Sequence, residues 1–186
     1  ADIEAAAKDL KCEPGLIYAI ARQESAHSSF IKIANRTVPA ILYERHQFAK
    51  YTNNQFSKNY HDISGPAYHR TKRIKEIIKD KNGKSKLTVK TVDVKTGETP
   101  IADDIYGPSG YAQYKRLLKA YQLDKTAALK SCSWGKFQLM GFNYQAAGYN
   151  DVFDFVKGMS SGDSAHINAF LKFAKSNAVL LEGLRT

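Results

Sequence analysis

The chain has 186 residues, of which 43% are hydrophobic and 25% are charged. This composition is typical of a globular protein whose single domain buries a hydrophobic core. No run approaches the roughly 20 apolar residues of a membrane span, and no signal-peptide pattern opens the chain. We therefore expect neither feature in these residues.

Positive charge is concentrated in one segment. Residues 70–90 hold nine Lys or Arg side chains and two acidic ones, so this segment carries +7 of the net charge of +10. Such a segment attracts polyanions, namely nucleic acid, anionic lipid or an acidic cell wall. A solvated insertion without a partner is the alternative interpretation.

The cysteine and histidine content argues against a metal site. Cys12 and Cys132 lie far apart and among apolar or small residues, which favours small core residues over a disulfide bridge between them. The five His and two Cys residues show no metal-ligand spacing. We expect no metal and no other cofactor.

Apolar periodicity predicts two helices at the start of the chain. The first covers residues 2–11, and its apolar face carries Ile3, Ala6, Ala7 and Leu10. The second begins near Pro14, a residue that suits the first turn of a helix. Its apolar face carries Leu16, Ile17 and Ile20.

Glu24 lies one helical turn beyond Ile20 in the stretch "AIARQESAHSSF". We therefore expect its carboxylate on the apolar face, where it loses hydration. The alternative is a carboxylate at a fraying helix end that reaches water or an arginine.

The middle of the chain is more varied. The stretch "VPAILYERHQF" is too short to assign by period, and residues 50–69 resemble a loop. Residues 70–81 are interpreted as a basic helix that ends at Asn82–Gly83. The β-branched stretch "KLTVKTVDVKTGET" predicts a β-hairpin with its turn at Thr96–Gly97, and it is the only strand material that we identify.

The remaining chain returns to helical periodicity. A helix through "GYAQYKRLLKAY" is expected to have an apolar stripe of Tyr111, Tyr114, Leu117, Leu118 and Tyr121. A short helix over 124–131 and two helices around 152–159 and 167–174 follow. The expected fold class is therefore mainly α with a small β-hairpin.

The stretch "SWGKFQLMGFNY" has the composition of a buried aromatic turn. Its unusual residue is Gln138, an amide among apolar neighbours that needs hydrogen-bond partners if it is buried. Gln138 either caps a loop or faces a polar ligand such as a sugar.

Two of these motifs together resemble a known family. "RQES" (Arg22–Ser25) and "SWGKFQLM" (Ser133–Met140) resemble the paired motifs of lysozyme-like glycan-cleaving enzymes. The N-acetylmuramidase family of phage endolysins is a closer match. Four stretches of this chain resemble that family and occur in the same order: "DIEAAAKDLKCEPGLIYAIARQES", "PAILYERHQF", "GYAQYKRLLKAYQLDKTAALKSCSWGKFQLMGFNYQAAGY" and "FVKGM". The likeness extends from residue 2 to about residue 180.

The resemblance implies a lysozyme-like fold, with residues 1–186 as a single catalytic domain. It implies cleavage of the bond between N-acetylmuramic acid and N-acetylglucosamine in peptidoglycan, with Glu24 as the catalytic acid. Residues 70–107 look longer and more basic than the corresponding region of the family. Similar proteins usually continue into a helical segment with a Tyr-Asn-Gly turn, which implies that the end of the domain is missing here.

The reaction also needs a group that stabilises an oxocarbenium-like centre or activates water. Glu44 is the first candidate, and an ion pair with Arg45 or another basic residue is its alternative role. Asp62 is the second candidate, for which helix capping is equally reasonable. His46 is interpreted as a structural histidine.

Amides and aromatic rings commonly bind sugars, which makes Gln138, Asn143 and Tyr144 candidate substrate-binding residues, with Trp134 behind them. The expected partner is the glycan strand of peptidoglycan, bound by a monomer. We expect no nucleic-acid partner. Lysines 84, 86 and 90 of the basic insertion are expected to hold acidic wall polymer near the cleft.

The implied protein is made in the cytoplasm of a host bacterium and acts on the cell wall, which lies in the periplasm of a Gram-negative host. Two other functions remain open at this point. A lytic transglycosylase would use the same Glu24 and end in an anhydro sugar. A non-catalytic basic module would bind wall polymer or nucleic acid.

Overall fold

The computed structural model describes residues 2–25 and 28–186, with the side chains of all of them except Ser25 and Asp103. The expectation of a mainly helical fold is confirmed. The α-helices in these residues are α1 (Asp2–Leu10), α2 (Pro14–Ser25), α3 (Arg45–Tyr51), α4 (Tyr111–Leu123), α5 (Lys125–Lys130), α6 (Val152–Met159), α7 (Asp163–Ser176) and α8 (Ala178–Arg185). None of the described helices is long and apolar enough to cross a membrane.

Three small antiparallel sheets accompany the helices. The first pairs β1 (Phe30–Ile33) with β2 (Arg36–Pro39). The second has the strand order β3 (Ile41–Tyr43), β6 (Cys132–Trp134) and β7 (Leu139–Met140). The third pairs β4 (Thr71–Lys79) with β5 (Ser85–Asp93). Short 3₁₀ helices cover Ala102–Asp104 and Gly141–Asn143.

The two N-terminal helices form as predicted, but Glu24 is not buried. Helix α1 buries the four predicted residues of its apolar face. Helix α2 buries Ile17 and Ala21, whereas Leu16 and Glu24 are exposed. The expected burial of Glu24 is therefore wrong. Glu24 lies seven positions after Ile17, which is about two helical turns, so the two residues share a helix face. A face is buried only where other elements cover it, and in the described part of the chain the cover over α2 does not reach Glu24.

The C-terminal helices agree with the prediction in position, and α4 differs in its buried stripe. Tyr111 and Leu118 of α4 are exposed, and the buried residues are Gln113, Leu117 and Ala120. Helix α8, which follows α7 after Asn177, was not anticipated. The side chain of Asn177 accepts a hydrogen bond from the backbone N–H of Leu180 (3.0 Å) and caps α8 there.

The basic segment is a strand, so the predicted helix over 70–81 is wrong. Its residues pair with β5 in a regular register from Thr71–Asp93 to Lys79–Ser85. Asn82–Gly83 therefore lies in the turn between two strands instead of ending a helix, and Gly83 has the positive φ (77°) that such turns require. The Thr96–Gly97 turn follows β5. The side chains of Lys84, Lys86 and Lys90 are exposed.

The core lies between the helices and the inner face of the three-stranded sheet. Its largest fully buried side chains include Trp134, Tyr43, Phe48, Phe155 and Leu10. Cys12 and Cys132 are both free thiols, which agrees with the interpretation as small core residues. The strands β1–β3, β6 and β7 were not anticipated as strand material, because runs of two to four residues are too short to show a period.

Candidate active site

The outer face of the three-stranded sheet carries Glu44, one of the predicted site residues. The core face of β3 and β6 carries Ile41, Tyr43, Cys132 and Trp134. Because side chains alternate along a strand, the cross-strand pair Leu42–Ser133 lies on the opposite face. Met140 of β7 pairs with Ser133, and Glu44 follows two residues after Leu42. Glu44 and Met140 thus share one partly exposed surface.

Glu44 extends the ladder by one residue, and its backbone N–H donates to the Ser131 carbonyl (2.9 Å). It stands at the N-cap of α3 without using its side chain as a cap. The carboxylate is 13% exposed. Its Oε2 accepts a hydrogen bond from the Tyr106 hydroxyl (2.7 Å). His46 Nδ1 lies 3.3 Å from the same oxygen but is not aligned for a hydrogen bond.

The expected alternative role of Glu44 is an ion pair with Arg45 or another basic residue. The buried Arg45 guanidinium pairs with Asp104 (2.5 Å) and donates to the carbonyls of Pro66 (2.6 Å) and His61 (2.7 Å). These contacts point Arg45 at the 61–66 loop. The described contacts of the Glu44 carboxylate are with Tyr106 and His46.

Tyr106 is a site residue that sequence reasoning missed. Its own carbonyl accepts hydrogen bonds from the side chains of Arg116 and Gln113, both in α4. Gln113 also accepts the backbone N–H of Tyr43 (3.1 Å) and so ties this loop to β3. Burial, followed by the hydrogen bond to Glu44, raises the pKa of Tyr106, which keeps its hydroxyl protonated and donating. A lone tyrosine before Gly107–Pro108 has no sequence signal of this role.

Gln138 closes the turn between β6 and β7. Its amide Nε2 donates to the carbonyls of Gly135 (2.8 Å) and Ala40 (3.4 Å), and its Oε1 accepts the Ser133 hydroxyl (2.7 Å). The backbone has a φ of 47°, a left-handed conformation that is uncommon for a residue with a side chain. The structure therefore shows the loop-capping arrangement of Gln138 on the same sheet face as Ser133.

His166 supports this turn from the core side and was also missed. Its Nδ1 accepts the backbone N–H of Lys136 (3.1 Å), and its Nε2 lies 2.6 Å from the Met159 carbonyl. The ring of Phe30 stacks on it with centroids 4.8 Å apart. Burial lowers the pKa of His166 below its usual 6.5. The neutral ring, with a proton on Nε2, satisfies both contacts.

Glu24 stands in the exposed last turn of α2, five residues before Ser29. The Ser29 carbonyl accepts the N–H of Ala40 (2.9 Å), whose own carbonyl accepts from Gln138. Five residues span at most about 18 Å. Glu24 therefore lies within about 18 Å of Ser29, whose carbonyl bonds to the strand edge next to Gln138.

The other candidates occupy different surroundings. Trp134 is only 2% exposed, and its indole N–H donates to the Leu129 carbonyl (3.2 Å). It packs in the core, which is compatible with the expected position behind the other sugar-binding candidates. Asp62 pairs with Lys119 (2.7 Å) on the surface and caps no described helix through its side chain.

Asn143 and Tyr144 are partly buried at the end of the second 3₁₀ helix. The Asn143 carbonyl accepts the N–H of Ala147 (2.9 Å). The ammonium of Lys130 lies 5.6 Å from the centre of the Tyr144 ring and the same distance from that of Tyr51. Asn143 and Tyr144 lie three and four positions after the end of β7.

Comparisons with known proteins agree with this architecture. A search of curated proteins finds no match. Among solved structures, the crystal structure of the Burkholderia AP3 phage endolysin matches with a TM-score of 0.68 and 27% sequence identity. The match covers 99% of this chain and 57% of that endolysin, so the chain spans little more than half of its length. The family model for N-acetylmuramidase matches residues 13–186. The chain therefore belongs to the N-acetylmuramidase family.

Proposed function

We propose that this protein is an endolysin-type peptidoglycan hydrolase that cleaves the bond between N-acetylmuramic acid and N-acetylglucosamine. The match of the N-acetylmuramidase family model to residues 13–186 is the observation that carries the proposal. The protein would be made in the cytoplasm of a host bacterium and would act, as a monomer, on the cell wall. In a Gram-negative host the wall lies in the periplasm.

Glu24 is the proposed general acid. It donates a proton to the glycosidic oxygen as the bond breaks. Its exposure in the last turn of α2 supports this role, because a glycan can reach the carboxyl group. The bound glycan removes water from that group, and desolvation favours the neutral form that can donate.

Glu44 is the proposed second carboxylate. The contacts with Tyr106 and His46 are both made by Oε2, so Oε1 is the oxygen that would orient a water or face the oxocarbenium-like centre. The Tyr106 hydroxyl holds the carboxylate in one orientation, which is the kind of positioning that catalysis requires.

The sugar-binding surface is proposed to include Gln138, Asn143 and Tyr144. Gln138 would shape the turn that borders the glycan, because its side-chain amide already bonds within the turn. Asn143 and Tyr144 would supply an amide and an aromatic ring after β7. Trp134 would support the sheet from the core without touching the sugar.

A lytic transglycosylase is the second candidate function. It would use the same acid and close an anhydro ring on the muramic acid instead of adding water. The role proposed for Glu44, activation of a water molecule, favours hydrolysis.

The test is digestion of purified peptidoglycan, with the products identified by mass spectrometry. We expect muropeptides whose new muramic acid end has gained one water. Anhydro ends would establish the transglycosylase instead. Binding without any cleavage, by a protein that is folded, would indicate a non-catalytic module. Glu182→Gln, which alters an exposed carboxylate of α8, is the control for Glu24→Gln.

A further inference from the structure

A groove of about 580 Å³ lies between the base of the β4–β5 hairpin and the segment 105–108. The residues that give it its chemical character are Arg70, Lys72, Arg73, Thr91, Tyr106 and Pro108. It was not anticipated from the sequence, which drew attention to the lysines near the hairpin turn.

The groove is strongly cationic. Arg70, Lys72 and Arg73 bring three exposed basic side chains to it. Among the described lining residues there is no carboxylate. The carboxylate of the neighbouring Asp93 has partners of its own. One oxygen lies 2.9 Å from His69 Nδ1, and the other accepts the backbone N–H groups of residues 95 and 96. An anionic ligand therefore fits the groove.

The edge of β4 adds backbone hydrogen-bonding groups to this charge. The N–H of His69 donates to the Asp104 carbonyl (2.7 Å), away from β5. The carbonyl of Arg70 faces the other way and accepts the N–H of Val94 (2.7 Å). Because these directions alternate along a strand, the N–H and C=O groups of Thr71 and Arg73 point to the groove side. An extended peptide can pair with such an edge.

The opposite wall is held in place before any ligand arrives. The Arg116 guanidinium donates to the carbonyls of Ile105 (3.3 Å) and Tyr106, and Gln113 donates to that of Pro108 (2.9 Å). A wall with fixed geometry lowers the entropic cost of binding.

Tyr106 connects the groove to the proposed catalytic surface. It lines the groove, and its hydroxyl bonds to Glu44. A group attached to a glycan that is bound along Glu44 could therefore extend into the groove. In peptidoglycan, the group that branches from the muramic acid is a short peptide with free carboxylates.

We propose that this groove binds the acidic peptide stem of the substrate. The stem lies extended along the edge of β4, with its carboxylates on Arg70, Lys72 and Arg73. This inference rests on the proposed function and identifies what the enzyme recognises beyond the sugar.

The first experiment compares two substrates: glycan strands that carry stems, and the same strands after an amidase has removed them. Wild-type protein is expected to cleave the stem-bearing strands with a kcat/KM about tenfold higher. In Arg70→Gln/Arg73→Gln this preference should fall to near one, mainly through KM. Lys79→Gln/Lys81→Gln removes two exposed charges near the hairpin turn of the same segment, outside the groove, and should keep the preference. An equal loss of this preference in both variants would show that net charge causes it and would overturn the proposal.

The second experiment needs no cleavage. Calorimetric titration of the full chain with a soluble acidic stem tetrapeptide should show binding. Binding should weaken about tenfold for the carboxyl-amidated peptide and for Arg70→Gln/Arg73→Gln. Unchanged binding in either case would overturn the proposal, provided that thermal unfolding shows the variant to be folded. Stem binding without glycan cleavage would support the proposed role of the groove and contradict the proposed function. The two proposals can therefore fail separately.

Discussion

The hydroxyl of Tyr106 donates a 2.7 Å hydrogen bond to Oε2 of Glu44, although 62 positions separate the two residues. Tyr106 lies in a loop that α4 holds in place, because the side chains of Arg116 and Gln113 donate hydrogen bonds to its carbonyl. The relationship makes Tyr106 a positioning residue for the proposed second carboxylate.

Tyr106→Phe should lower kcat about tenfold and change KM little, because the carboxylate loses the contact that orients it. Steady-state kinetics on soluble glycan strands measures both constants. Tyr18→Phe, at an exposed position of α2, is the control. A variant with a lower melting temperature and an unchanged kcat would show that the hydrogen bond is only structural.

Glu24→Gln should reduce glycan cleavage by about 10² to 10⁴, the usual contribution of a general acid. The replacement keeps the shape of the side chain and removes the transferable proton. Its exposed position predicts an unchanged melting temperature. Near wild-type turbidity loss of peptidoglycan would refute the assignment.

Glu44→Gln should cause a large but incomplete loss of activity, because other groups can still position a water. The amide oxygen can accept the Tyr106 hydroxyl in place of Oε2, so the fold should persist. Activity and thermal unfolding are measured together. A loss of stability with an unchanged rate would favour a structural role for Glu44.

Gly135→Ala should lower the free energy of unfolding by about 2 to 4 kcal/mol. The residue has a φ of 68°, and a Cβ there would lie 2.5 Å from Cε1 of the buried His166. Chemical denaturation measures the change. Gly183→Ala in α8 is the matched control, since its Cβ meets nothing within 4 Å and the substitution should stabilise the helix.

The stability of the fold should decrease as the pH falls below about 6.5, in part because of His166. Burial lowers the pKa of its ring, so the unfolded chain binds a proton there before the folded chain does. Stability then rises with pH across this window, by at most about 1.4 kcal/mol per pH unit for one proton. Asp163, 3.9 Å away, and Lys136 act on the ring with opposite signs.

Denaturation between pH 5 and 8, with an NMR titration of the His166 ring, tests this prediction. An NMR pKa at or above 6.5 would contradict it. The titration also separates His166 from the four other histidines of the chain.

Local periodicity was enough to locate most helices. The apolar faces of α1 and α6 depend only on residues three and four positions apart, which the sequence displays directly. The same local reading placed Glu24 at the end of a helix and Gln138 in a turn. It also identified the family through the motifs around these two residues.

Pairing between distant segments decided the rest. Residues 71–79 have a composition compatible with a helix or a strand, and only the partner strand 85–93 settles the choice. Periodicity placed Glu24 on the apolar side of α2, but burial depends on which elements cover that side, and the Glu24 side chain is exposed among the described residues.

The site contacts follow the same division. Gln138 meets Ala40 across 98 positions and Tyr106 meets Glu44 across 62. No local rule connects such pairs, because their distances are set by how α4 and the three-stranded sheet pack together. The sequence by itself determined most of the helices, the motifs and the candidate acid. The tertiary structure alone decided which side chains share the sheet face and that a cationic groove adjoins it.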